Sequence, residues 1–195
     1  MGKCFYISTL LLAFLITSCG GNSASSVQRL SCNGLKSNSF IIPGTPNITS
    51  RTTYCEDYFF TPEKLSRAIH VYVDEYSNTF DIDPKQVWSA LRNVEIEVSA
   101  IPRISKYAFD KDGNLRQNVN VTGLAFSPKK IWVEVKTSQI SSSSLSHELT
   151  HAIIWFENMG VHGDPDHEGL EFSGWTPEHT KMIKRVNDKL LDESV

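Results

Sequence analysis

The stretch 147-HELTHAIIWFENMGVHGDPDHEG-169 decides how the rest of this chain is read. Its first five residues spell HExxH. Residues four apart on an α-helix project side by side, so the imidazoles of His147 and His151 can reach one ion. Glu148 lies about 100° around the helix from His147, which puts it beside such an ion and suits it to take a proton from an attacking water. Zinc held by three protein ligands keeps a fourth position open and lowers the pKa of bound water toward about 7.

HExxH has few fixed letters, so its setting decides its weight. The run 141-SSSS supplies several N-caps, and Leu149, Ala152, Ile153 and Phe156 form one apolar stripe at helical spacing. Gly160 is the natural stop. Further donors cluster just beyond it. The plain alternative is a helix carrying two exposed histidines.

The third ligand is not where the extended metzincin motif HExxHxxGxxH puts it. That motif needs a glycine at position 154 and a histidine at 157, where this chain has Ile154 and Glu157. The endoribonuclease pattern HxxxHxxxxxH fails at the same place, and the EGCLS cysteine motif of peptide deformylases is absent. Fifteen residues separate His151 from His167, enough to end the helix and return a loop toward the ion. His167 is therefore the first choice, ahead of His162 and Asp164, with Asp166, Glu168 and Glu171 behind them, since neutral imidazole suits zinc best. Carboxylates of this cluster not used as ligands are available to orient the histidines, or belong to a solvated loop.

With one residue inserted between His and Gly, 167-HEGLEF-172 resembles the HGxxF motif that follows HExxH in SprT-like and Spartan-type zinc metallopeptidases. The resemblance covers residues 147 to 172. It implies a zincin-like fold, one catalytic Zn2+, His167 as third ligand and peptide-bond hydrolysis. In zincins a strand runs along the cleft above the metal helix, and the segment Val119 to Val135 is the counterpart that this resemblance suggests.

The N-terminus carries a different kind of signal. Lys3, an apolar run from about Ile7 to Ile16 and small residues after it form an export signal too short to span a bilayer. Ile16-Thr17-Ser18-Cys19 resembles a bacterial lipobox, which implies cleavage after residue 18 and lipidation of Cys19. Loss of Lys3 would take the formal charge from −3 to −4. Gly20 after the lipidated cysteine favours, by resemblance to enterobacterial lipoproteins, an outer-membrane location. Cys4 leaves with the signal, so Cys32 and Cys55 remain, and export favours a disulfide between them.

Residues 19 to 39 are rich in Ser, Asn and Gly and read as the lipidated Cys and a tether; the domain proper is expected over 40 to 195. Thr61-Pro62-Glu63 opens a helix over about 61 to 79, Asp83-Pro84 a shorter one to Leu91, and Thr176-Pro177-Glu178 a last one to about Leu191. Strands are expected at Val94 to Val98, Val119 to Phe126 and Ile131 to Val135. The sum is an α+β fold: a single zincin-like domain, with a small antiparallel or mixed sheet packed on the HExxH helix and its flanking helices.

His70 and His179 are weaker candidates, and the tryptophans read as core or pocket wall, with Trp155 placed to line the cleft. Nineteen basic residues against 22 acidic ones give no basic character that nucleic acid would require. The expected protein is a membrane-anchored zinc metalloendopeptidase of the bacterial cell envelope, with Glu148 as base and a protein or peptide as substrate. Its rivals are a non-catalytic metal-binding or interaction lipoprotein and a hydrolase of cell-wall amides.

Overall fold

Thr61 and Asp83 open two helices as their context predicts. Thr61 Oγ1 accepts the Lys64 N–H at 3.3 Å, and Asp83 Oδ1 accepts that of Lys85 at 2.8 Å. A proline sits in each first turn, where its missing N–H is no loss. The computed structural model describes residues 35–55, 61–101, 103–109, 115–134, 142–157 and 174–192. Within them the order is β1 (Leu35–Ile41), β2 (Thr49–Cys55), α1 (Pro62–Phe80), α2 (Pro84–Leu91), β3 (Glu95–Ser99), β4 (Arg103–Phe109), β5 (Leu115–Val121), β6 (Gly123–Ser127), β7 (Lys130–Glu134), α3 (Ser142–Glu157) and α4 (Pro177–Asp192).

The architecture is α+β. Among the described residues, four helices accompany a five-stranded mixed sheet of order β1-β2-β3-β7-β6 and a separate β4-β5 hairpin. β2, β3 and β7 run parallel to their neighbours in that set, while β1 and β6 pair antiparallel at the two edges. No helix among the described residues is long and apolar enough to cross a membrane.

Alternation along the strands sorts the two faces. Ile96 and Val98 of β3 pair in register with Ile131 and Val133 of β7, and all four are buried against the helices. Their alternates face the other way: Glu97 stands opposite Trp132, and Leu124 follows on β6. Arg103 of the hairpin covers that side, bonded to Glu97 Oε1 at 2.5 Å with its guanidinium 5.3 Å from the Trp132 ring centre. A cation over an indole and a carboxylate beside it let a charged residue roof a fully buried tryptophan.

Three strands were not anticipated. β1 begins at Leu35, inside the stretch assigned to the tether, and it is exposed along Lys36–Ser39, as a polar edge strand should be. β2 buries Ser50 and Thr52, whose hydroxyls bond each other at 3.1 Å, so its inward face shows no hydrophobic alternation. Among the described residues β4 pairs only with β5. The single strand expected over Val119 to Phe126 divides at Thr122: β5 stays in the hairpin and β6 joins the sheet, with Thr122 O accepting the Glu134 N–H at 2.8 Å across the corner.

Candidate metal centre

α3 is held on nearly every side. Leu145, Leu149, Ala152, Ile153 and Ile154 lie in the core, and the Thr150 hydroxyl is bound by Tyr72 of α1. Phe156, expected in the apolar stripe, is instead 42% exposed and receives Lys129 Nζ at 4.6 Å over its ring. A helix gripped this way has its remaining side chains aimed by the packing, not by their own preference.

Two of those side chains converge. Nε2 of His147 and Nε2 of His151 stand 3.1 Å apart, with the two rings edge to face. Ligands at about 2.0–2.1 Å from a tetrahedral zinc lie about 3.3 Å from each other, so this pair fits one such ion with little adjustment. Among the described residues no third His, Cys, Asp or Glu joins them. His167, His162, Asp164, Asp166, Glu168 and Glu171 lie outside the described residues, as do Cys19 and Cys32; Cys55 ends β2.

Glu148, between the two histidines in sequence, is 3% exposed. Burial pushes its carboxyl well above the ordinary carboxylate range, because the charged form is the one that loses solvation. A carboxyl raised in this way holds a proton more tightly than an exposed one, and a cation on the neighbouring histidines would pull it back down.

The wall of the pair is Trp175. Its ring centre lies 4.9 Å from His147 and 5.0 Å from His151, and its Nε1 donates to Thr180 Oγ1 at 3.2 Å. His179 stands behind it, 5.7 Å from the indole and packed on Tyr76 and Phe80. Its Nδ1 accepts the Thr176 N–H at 3.0 Å, which closes the first turn of α4 in the manner of a capping box with histidine in the glutamate position. Burial pushes the His179 pKa down to about 4, so this ring is neutral, with its proton on Nε2. His70 lies elsewhere: its Nδ1 bonds back to Ser66 O and its ring meets Trp88 edge to face.

Compared with protein-family models, curated proteins and solved structures, the chain matches none of them. The site therefore stands on its own geometry.

Two of its parts went unread in the sequence. Trp175 was one tryptophan among four, and nothing in its local context marks it as the one that meets the histidines. Gly123 carried a signal that could have been used: a lone glycine inside a strand pattern points to a break or a close approach. Here it marks both, the division between β5 and β6 and a contact with Glu148.

Proposed function

We propose that this protein is a lipid-anchored zinc metalloendopeptidase with a zincin-like domain. The observation that carries the reading is the convergence of His147 and His151 Nε2 at 3.1 Å on the helix that also buries Glu148. His147, His151 and His167 hold the ion. When bound, zinc polarises the scissile carbonyl and acidifies the attacking water. Glu148 takes that water's proton at its carboxylate and delivers it to the leaving amine. Trp175 closes one side of the histidine pair and excludes bulk water from it.

The sheet supports the same reading. Among the described residues β6 is an edge strand, packed against α3, and the side of it turned away from β7 suits an extended peptide laid alongside it. In this reading residues 1 to 18 are the export signal, Cys19 carries the lipid, and Cys32 and Cys55 are bridged. The protein then works at the bacterial cell envelope on a protein or peptide substrate.

The test is Glu148→Gln. The variant should retain zinc and lose peptide hydrolysis by about 10²–10⁴-fold, the usual worth of a general base. A zinc-loaded wild-type protein that cleaves nothing in a broad peptide library would overturn the reading, and peptidoglycan digestion by the same preparation would favour the cell-wall amide instead.

A further inference from the structure

Gly123 sits buried in β6, paired with Val133, on the strand face that meets α3. Its φ is not in the left-handed region, so the backbone makes no demand for glycine here. The demand is spatial. A Cβ placed on Gly123 would have Oε1, Cγ and Cδ of Glu148 as its three nearest neighbours, with Cγ at 2.7 Å and Cδ at 2.8 Å. Non-bonded carbons settle at about 3.5–4.0 Å, so the Glu148 carboxyl occupies the volume that any side chain at position 123 would need.

Glu148 is 3% exposed, so its carboxyl can turn away from position 123 only into neighbouring atoms or by leaving its buried place. Leu145, Leu149 and Ile153 fix α3 in the core on either side of it, and β6 is tied to β7. Each partner in this contact also weakens the fold when taken alone. Glycine in a strand gives up packing and adds chain entropy to the unfolded state, and a buried carboxyl loses its hydration. Two locally unfavourable choices meeting at one point indicate a site kept for something other than stability.

We propose that Gly123 is the positioning residue for Glu148: its missing side chain forms the seat that fixes the carboxyl beside the His147 and His151 pair. The catalytic half of this inference rests on the metallopeptidase reading, while the steric half does not. The seat also explains why the edge strand begins at a glycine directly after the corner at Thr122. A larger residue there would push Glu148 away from the histidines or push β6 off α3.

The experiment is a stability cycle of Gly123→Ala, Glu148→Ala and the double variant, joined to kinetics of the zinc-loaded Gly123→Ala protein. Gly123→Ala should lower the unfolding midpoint in the wild-type background and cost much less where Glu148 is already alanine. Equal cost in both backgrounds overturns the seat. Should Gly123→Ala fail to fold, the double variant must fold, and its failure overturns the seat as well. In kinetics, kcat should fall at least about 100-fold with KM and zinc content unchanged, as displacement of a base requires; an unchanged kcat overturns the positioning role. Wild-type protein inert on peptides would overturn the hydrolase reading, with the stability cycle still deciding the seat.

Discussion

Tyr72 of α1 donates its hydroxyl to Thr150 of α3, the last residue before His151, across 3.0 Å of fully buried space. The direction follows from Thr150 itself, whose Oγ1 gives its own proton to Ser146 O at 2.8 Å. Burial, with the nearby Tyr76 adding to it, pushes the Tyr72 pKa well up, so the phenol remains a donor. The residue directly before His151 is thus locked to α1.

The two halves of that bond should differ in worth. Tyr72→Phe leaves only acceptor capacity on Thr150 and should cost about 1 kcal/mol, whereas Thr150→Val strands a buried O–H and should cost about 1–3 kcal/mol. Urea unfolding of both variants measures the difference, and a greater cost for Tyr72→Phe than for Thr150→Val would show that the hydroxyls are not paired as described.

Metal content separates the ligands. His147→Ala and His151→Ala should each weaken zinc binding by at least about 100-fold, since about 10–16 kcal/mol of binding is shared among four positions in structural sites. His167→Ala should do the same. Full occupancy in His167→Ala with loss in His162→Ala or Asp164→Ala would move the third ligand along the loop.

Glu75 ties α1 to α4, accepting from Arg185 Nε at 3.0 Å and Lys189 Nζ at 2.5 Å. Burial raises its carboxyl, but the bonds from Lys189 and Arg185 outweigh burial and leave the pKa below the ordinary 4.5. A depressed carboxyl contributes stability that is complete above its unfolded value and is lost as pH falls through the folded one. Stability should therefore decline below about pH 4.5, and Glu75→Gln should flatten that decline. Both cations are about half in water, so the cost at neutral pH is held to about 1 kcal/mol.

His179 gives a second pH window with the same sign. Unfolded, it takes a proton near 6.5; folded, only near 4. Its contribution is full above 6.5 and is lost as pH falls toward 4. His179→Gln keeps an acceptor for the Thr176 N–H and removes the titration, so its stability profile should be flatter across that interval in thermal melts at fixed pH. An unaltered slope would mean that the ring is not held neutral.

The sequence by itself determined the helices and the spacing that pairs two histidines on one of them. Thr61-Pro62, Asp83-Pro84 and Thr176-Pro177 are local instructions, satisfied by groups within one turn, and the i,i+4 spacing of His147 and His151 needs only a helix to bring two nitrogens together. β3 and β7 were legible because their inward residues are apolar. β1 and β2 were not, because a polar edge and a hydroxyl-lined inner face hide the alternation that marks a strand. Only the tertiary structure decided what surrounds the pair. Trp175 reaches His147 and His151 from the turn before α4, and Gly123 meets Glu148 from the edge of the sheet. Such contacts join residues far apart in the chain, and they are fixed by how helices and sheet pack, which no short window of sequence records.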